Sequence, residues 1–153
     1  MVTYYLDSSA LAKRYLVEPG SDWIRVIATP DSKSVLIIAR IALVEVASAL
    51  SRRRREASIS DTDYADQLRA VRFDAHTRYQ IVELTPAIAD EALQLTTRYP
   101  LRAYDAVQLA SGLFANRAVV NAGAMSLVFL SSDDRLSEMA QAQGLNTDNP
   151  DRH

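Results

Sequence analysis

Thr3-Tyr-Tyr-Leu-Asp-Ser-Ser-Ala10 is the stretch of the sequence that decides the fold class. The β-branched and aromatic residues of Thr3–Leu6 predict a short buried strand. Asp7, Ser8 and Ser9 follow at once, and their side-chain oxygens are typical acceptors for the free N–H groups of a first helical turn. A strand that passes through a polar turn directly into a helix indicates an α/β fold.

The same alternation continues along the chain. Apolar runs predict further strands at Val35–Ile38, Ile81–Leu84 and Leu127–Leu130. Helices are predicted at Ala10–Leu16, from Ser21 to before Pro30, at Ile41–Arg55 and Ser60–Thr77, from Pro86 to before Pro100, at Ala103–Ala115, and from Asp133 to before Gly144. This order predicts one domain, residues 1–153, folded as a three-layer α/β/α sandwich with a mostly parallel central sheet.

The composition excludes several kinds of chemistry. There is no Cys, and His76 and His153 are the only histidines. Disulfides, zinc–thiolate sites and cysteine nucleophiles are therefore excluded, and mechanisms built on two histidines are disfavoured. The net charge of -2 gives no overall attraction to a polyanion. Carboxylates are the main chemical resource that this sequence offers.

Nothing in the sequence predicts membrane insertion or export. The longest apolar stretch, which starts at Val35, is interrupted by Arg40 and Glu45 and is too short to cross a bilayer. The N-terminus has no basic segment followed by an apolar one, as a signal peptide would. We therefore expect a soluble cytoplasmic protein.

Four acidic residues occupy positions that favour a shared functional site. Glu45 and Asp105 each interrupt an otherwise apolar helix, and burying an unpaired carboxylate is costly unless it meets a cation or strong hydrogen-bond donors. Asp7 and Asp133 each follow an apolar strand, and the carboxyl ends of parallel strands border the ligand crevice of such a sheet. The pattern predicts that the four carboxylates converge on a divalent cation.

Each acid also has a structural explanation. Asp7 and Asp133 can cap the helices that they precede, where the helix dipole favours a negative charge. Glu45 and Asp105 can each form an ion pair with a nearby arginine. The candidate arginines are Arg40 and Arg52 for Glu45, and Arg102 for Asp105.

Four motifs in this order resemble the PIN-domain family. They are Tyr-Leu-Asp7-Ser-Ser-Ala-Leu, Leu-Val-Glu45-Val, Arg-Ala-Tyr-Asp105-Ala-Val-Gln-Leu-Ala and Phe-Leu-Ser-Ser-Asp133-Asp-Arg-Leu. They span nearly the whole chain and are similar to those of the VapC-type ribonuclease toxins of type II toxin–antitoxin systems. The resemblance implies a PIN-like fold and an endoribonuclease that uses Mg²⁺ or Mn²⁺.

The resemblance also implies site residues. Those that match the family pattern are Asp7, Glu45, Asp105 and Asp133 as metal-binding acids and Ser9 as an accompanying hydroxyl. Asp134 is the adjacent alternative to Asp133, which is preferred because it follows the strand more closely. In the implied mechanism Asp7 and Asp105 bind the metal directly, Glu45 and Asp133 complete or orient its hydrated shell, and metal-activated water attacks the phosphodiester. One ion and two ions fit the sequence equally.

Partners follow from the same resemblance. It implies an RNA substrate, a cognate antitoxin protein and a homodimer. Tyr15, Leu16 and Trp23 are the predicted docking surface for the antitoxin, although the same apolar stripe also fits packing against the sheet. The basic run Arg52–Arg55 fits either a solvated helix end or a contact with RNA phosphates or an acidic partner.

Two rival functions also fit parts of the sequence. A catalytically silent PIN-fold module would bind RNA or protein through the arginine run and apolar surface, but would not need all four acids. A haloacid-dehalogenase-like phosphatase also begins with an Asp after a strand, but that family has a second Asp where Ser9 stands here. Both are therefore weaker interpretations than the nuclease.

Overall fold

The computed structural model, which describes residues 1–153, contains five strands and seven helices. The strands are β1 (Thr3–Leu6), β2 (Val35–Ala39), β3 (Tyr79–Val82), β4 (Val128–Leu130) and β5 (Asn146–Asp148). The helices are α1 (Ser8–Ala12), α2 (Ser21–Ile27), α3 (Arg40–Arg55), α4 (Asp61–Thr77), α5 (Pro86–Arg98), α6 (Ala103–Asn121) and α7 (Asp134–Ala142). Short 3-10 turns cover Pro30–Ser32 and Pro150–Arg152.

All neighbouring strands of the sheet are parallel, in the order β3-β2-β1-β4-β5. The chain first builds the sheet outward from β1 through β2 to β3, and then adds β4 and β5 on the other side. The order therefore reverses between β1 and β4. Sheets of this type bind ligands beyond the carboxyl ends of the strands at that reversal. Asp7 and Asp133 follow these two strands.

Alternate residues of the central strands face two separate hydrophobic cores. Tyr5 of β1 and Phe129 of β4 pack under α5, α6 and α7. Leu6 and Leu130, the next residues along, pack under α1, α2, α3 and α4. This two-residue period places one side chain in each core in turn. The predicted three-layer α/β/α sandwich with a parallel sheet is confirmed.

Gly112 allows α6 to lie unusually close to the sheet. A Cβ atom at this position would be 2.7 Å from Cδ2 of Phe129, which is too close for two carbon atoms. The Phe129 ring is itself stacked on Tyr5, with ring centroids 5.1 Å apart. The close approach holds α6, which carries Asp105 and Gln108, against the middle of the sheet.

Residues 149–153 fold back onto the start of the chain. Asp151 forms an ion pair with Lys13, with 2.6 Å between Oδ1 and Nζ. Lys13 directly follows α1 and is buried. Asp151 also accepts a hydrogen bond from the Ser132 hydroxyl at 3.2 Å. Gly20, which has a φ of 80°, lies so close to Pro150 that a Cβ would be 2.1 Å from its carbonyl oxygen. This segment therefore connects α1, α2 and the loop after β4.

Several predicted boundaries differ from the observed ones. α1 ends at Ala12 rather than Leu16, because Lys13 and Arg14 donate their backbone N–H groups to carbonyls three residues back. β3 begins two residues earlier than predicted and ends at Val82, because Val82 pairs with Ala39, the last residue of β2. α6 continues past Ala115 to Asn121. β5 was not predicted, because Asn-Thr-Asp has no apolar signal.

The predicted docking surface is wrong for two of its three residues. Tyr15 and Leu16 are 5% and 4% exposed and belong to the core on the α1–α4 side of the sheet. The Tyr15 hydroxyl is further fixed by a 2.8 Å hydrogen bond to the buried Asp74. Trp23 is half-buried and stacks on His153. The apolar stripe thus packs α1 and α2 against the sheet.

None of the seven helices combines the length and the apolar character that crossing a bilayer would require.

Candidate active site

Asp7 lies at the carboxyl end of β1 and is only 4% exposed. Its Oδ1 atom accepts hydrogen bonds from the Ser9 hydroxyl at 2.6 Å and from the Ala10 backbone N–H at 2.9 Å. Its Oδ2 atom accepts one from the Ser131 hydroxyl at 2.6 Å. Because Ser131 follows β4, this carboxylate joins the two strands that border the crevice. Asp7 therefore caps α1 as one structural explanation predicted, but it also bonds across the sheet reversal.

The charge of Asp7 has no cationic partner. The pKa of Asp7 is raised from 3.8 to about 6. Burial is the main cause, the hydrogen bonds from Ser131, Ser9 and Ala10 oppose it, and the Glu45 charge adds a small rise. A carboxylate in such surroundings gains more than an exposed one from a bound cation, because little water screens the attraction. The environment of Asp7 therefore suits a cation ligand.

Glu45 sits near the start of α3 and is fixed by two hydrogen bonds. The Ser8 hydroxyl donates to Oε2 and the Gln108 side-chain amide donates to Oε1, both at 2.9 Å. The amide is oriented in turn, because the Tyr5 hydroxyl donates to the Gln108 carbonyl oxygen at 2.7 Å. A buried chain of Tyr5 and Gln108 thus holds Glu45 in place.

Gln108 contacts the candidate site through Glu45 but was not among the residues predicted from the sequence. It is 1% exposed and lies in the apolar run Ala-Val-Gln-Leu-Ala of α6. A polar residue inside an apolar helix is the same signal that singled out Glu45 and Asp105, so applying it to uncharged residues would have found Gln108.

Asp105 and Asp133 form a second acidic pair. They line one cavity of about 160 Å³ together with Arg102 and Arg135. Burial raises the pKa of Asp105, the Asp133 charge raises it further, and the Arg102 charge partly opposes the shift. Asp133 caps α7, since its Oδ1 atom accepts from the backbone N–H groups of Arg135 at 2.9 Å and Leu136 at 3.3 Å.

Asp134 points away from this pair. Its Oδ1 atom accepts hydrogen bonds from the Asn149 amide at 2.9 Å and from Arg152 at 3.0 Å. It lines a separate polar cavity beside β5. The geometry therefore favours Asp133 over Asp134 as the partner of Asp105.

The ion pairs considered as alternatives for Glu45 and Asp105 do not form. Arg40 pairs with Glu83 instead, and neither Arg52 nor Arg102 pairs with an acid. None of the four candidate acids takes part in an ion pair of the structure. Glu45 and Asp105 therefore lack the arginine partner that would explain them structurally. Asp7 and Asp133 have no ion-pair partner either.

The acids are arranged as two pairs rather than one tight cluster. The charge of Glu45 raises the pKa of Asp7, and the charge of Asp133 raises the pKa of Asp105. No three acidic or histidine side chains are close enough together to enclose a metal ion, so the four-acid centre stays a prediction. Mg²⁺ commonly uses one or two carboxylates and keeps several waters, so oxygen donors arranged in pairs fit such an ion chemically.

A cleft of about 510 Å³ opens beside the first pair. Ser9 and Glu45 line it together with Ser132, Tyr104 and Arg52. Ser9 also accepts a hydrogen bond at 2.9 Å from the backbone N–H of Ser132, so its hydroxyl bridges Asp7 and the loop after β4. The cleft thus gives solvent access to the groups around Asp7.

The four arginines of Arg52–Arg55 differ in their partners. Arg53 pairs with Glu18 at 2.9 Å, and Arg54 pairs with Asp61 at 2.7 Å. Arg55 donates to the Ser51 hydroxyl. Only Arg52 is both exposed and free of an ion pair while lining the cleft.

Comparison with known proteins agrees with the motifs. A family model described as PIN domain matches residues 4–142. Two curated relatives come from Mycobacterium tuberculosis: Ribonuclease VapC45 of strain CDC 1551 / Oshkosh and Ribonuclease VapC49 of strain ATCC 25618 / H37Rv. Each is 34% identical over 145 residues, which cover 94% of this chain and 93% of the relative.

Solved structures share the fold at lower identity. VapC20 of Mycobacterium tuberculosis, described as a Sarcin-Ricin loop cleaving toxin, matches with a TM-score of 0.61 and 16% identity, covering 93% of this chain and 95% of that one. A toxin-antitoxin complex from Klebsiella pneumoniae matches with a TM-score of 0.62 and 16% identity, covering 96% and 97%. At these identities the matches establish the fold.

Proposed function

Because this chain belongs to the PIN-domain family, we propose that it is a metal-dependent endoribonuclease and the toxin of a toxin–antitoxin pair. The observation that carries the proposal is the buried Asp7 carboxylate, which has no ion pair and lies at the sheet reversal beside Glu45. Two relatives named as ribonucleases, each 34% identical over nearly the whole chain, support the same activity. The substrate is RNA in the cytoplasm.

The carboxylates of Asp7, Glu45, Asp105 and Asp133 would hold Mg²⁺ or Mn²⁺. Such an ion lowers the pKa of a water molecule and offsets charge on a phosphate. The protein's own groups prepare the site: Ser9 and Ser131 fix both oxygens of Asp7, and Gln108 fixes one oxygen of Glu45. No side-chain nucleophile is required, which agrees with the absence of Cys and the position of both histidines outside the cleft.

The activity is tested with a fluorescent single-stranded RNA incubated with purified protein in Mg²⁺, Mn²⁺ or EDTA. We expect shortened RNA with either cation and intact RNA in EDTA. A catalytically silent binding module would retard the RNA in a native gel under every condition and never shorten it. That result, obtained with folded protein, would reject the nuclease.

Gln108→Ala is expected to reduce cleavage by about 10- to 100-fold, the usual effect of removing a group that orients a metal ligand. Tyr5→Phe, which removes only the hydroxyl that orients the Gln108 amide, should give a smaller loss in the same direction. The matched control is Gln141→Ala, because the side chain of that exposed residue hydrogen-bonds only to Thr147.

The Gln108 variant is also tested without RNA. Calorimetric titration with Mn²⁺ should show weaker binding for Gln108→Ala than for the Gln141 control. Equal Mn²⁺ affinity and equal cleavage rates would show that Gln108 has no positioning role.

Asp133→Asn is expected to reduce cleavage strongly, whereas Asp134→Asn should change it less than about threefold. An asparagine still caps a helix, so neither variant should unfold α7. The reason for the difference is that only Asp133 shares a cavity with Asp105. Initial cleavage rates of the two purified variants are compared, and the opposite order would transfer the role to Asp134.

The family also provides the proposed partners, a cognate antitoxin and a second copy of the chain. Expression of the chain alone should arrest growth, and expression of the Asp7→Asn variant should not. Light scattering on the purified protein measures whether it is a dimer.

A further inference from the structure

Tyr104 differs from every other tyrosine of the chain. Its side chain is 59% exposed, and it has neither a hydrogen bond nor an aromatic or cationic partner. The other six tyrosines each have such a partner: Tyr4 contacts Trp23, Tyr5 bonds Gln108, Tyr15 and Tyr79 bond each other, Tyr64 lies under Arg54, and Tyr99 bonds Gln143. An aromatic ring left open in this way is available to a ligand.

The position of Tyr104 is equally specific. It stands in the first turn of α6, directly before Asp105, and lines the same cleft as Ser9 and Glu45. Tyr104 therefore lines the cleft beside Glu45 and is next in the chain to Asp105 of the other pair. At about 510 Å³ the cleft is within the size range of ligand pockets, roughly 300 to 1,000 Å³.

Arg52 adds an available positive charge to this cleft. It is exposed, lines the cleft and has no ion pair, unlike Arg53 and Arg54 beside it. Arg52 is seven residues after Glu45, so the two share one face of α3 and are separated by roughly 10 Å along the helix axis. A phosphate that Arg52 contacts is therefore a neighbour of the one beside the acids.

We propose that Tyr104 and Arg52 form a nucleotide subsite for single-stranded RNA, in which the Tyr104 ring stacks on an unpaired base and the Arg52 guanidinium binds a flanking phosphate. This subsite rests on the proposed ribonuclease function and adds how the strand is held. Stacking on one aromatic ring tolerates any base, because every base has a flat face. A base inside a duplex has both faces covered, so the subsite selects unpaired RNA.

The subsite is tested by fluorescence anisotropy with a labelled single-stranded RNA in EDTA, so that binding is measured without cleavage. Tyr104→Ala is expected to weaken binding by roughly 5- to 100-fold, whereas Tyr104→Phe keeps the ring and should bind like the wild type. The matched control is Phe73→Ala, which removes a similarly exposed aromatic ring on α4 outside the cleft.

Arg52→Ala is expected to weaken binding and to reduce the slope of log Kd against log salt by about 0.7, the value for one phosphate contact on a single strand. Arg55→Ala removes a neighbouring arginine that does not line the cleft and should leave the slope unchanged. Duplex RNA of the same length should bind Tyr104→Ala and wild type equally.

Equal affinity of wild type and Tyr104→Ala for the single strand would overturn the subsite. The exposed ring would then be a contact for a protein partner instead. The cleavage assay of the wild type is a separate result. If the wild type does not cleave RNA but Tyr104 and Arg52 still determine its binding, the nuclease fails and the subsite stands.

Discussion

Asp7→Asn is expected to lower the rate of metal-dependent RNA cleavage by more than about 100-fold. Removing even a residue that only orients a metal ligand typically lowers metal affinity or activity by about 10- to 100-fold. The substitution keeps the shape of the side chain and removes the charge that a cation would meet. Initial rates with labelled RNA in Mg²⁺ and in Mn²⁺ measure the effect. Asp105→Asn should act in the same direction from the other acidic pair.

The fold should survive the Asp7 substitution. The asparagine oxygen can still accept from Ser9 and Ala10, as Oδ1 of Asp7 does. The new amide takes the place of Oδ2, and the Ser131 hydroxyl can rotate so that its oxygen accepts the hydrogen bond. Circular dichroism should therefore show the same helix content in the variant and the wild type.

Asp63→Asn is the matched control for Asp7→Asn. Asp63 is exposed in the first turn of α4 and its side chain makes no hydrogen bond or ion pair, so its loss should leave the cleavage rate unchanged. Cleavage by Asp7→Asn at the wild-type rate would remove Asp7 from the site.

The second large effect is a loss of stability as the pH rises. The pKa of Asp7 is about 6 in the folded protein and 3.8 without the fold, so the folded state binds this proton more tightly. The contribution to stability is fully present below about pH 4 and is lost as the pH rises through 6. The whole shift corresponds to about 3 kcal/mol, and the part between pH 5 and pH 7.5 to about 1 kcal/mol.

The pH effect is measured by urea unfolding in EDTA, so that no divalent cation stabilises the folded state. The difference in unfolding free energy between Asp7→Asn and wild type should grow in favour of the variant from pH 5 to pH 7.5. Comparing the two proteins cancels the titration of the other groups. A difference that stays constant over this range would contradict the burial of a charged Asp7.

The sequence predicted the central part of the fold because its signals there are local. β1, β2 and β4 were located within a residue or two, since each is a short, mainly apolar run followed directly by a polar residue. β5 is polar and lies at the edge of the sheet, and only its pairing with β4 makes it a strand. Such pairing between distant segments leaves no local pattern in the sequence.

The same limit applies to the candidate site. The four acids were singled out by their positions after strands or inside apolar helices, and their role in a metal site stays a prediction. The way Glu45 is held depends on its hydrogen bond from Gln108, which is 63 residues away in the chain. The exposure of Tyr104 likewise depends on the cleft that residues of α1, α3 and α6 form together, so no spacing in the sequence predicts it.

The tight contact between Gly20 and Pro150 has a consequence for genetics. Any side chain at position 20 would push residues 150–152 away, and with them Asp151, the ion-pair partner of Lys13 on the wall of the cleft. In a screen for cells that survive production of this protein, survivors should therefore carry substitutions at Gly20 as well as at the acids. Such alleles would inactivate the protein by displacing a neighbouring segment, although residue 20 itself takes no part in the reaction.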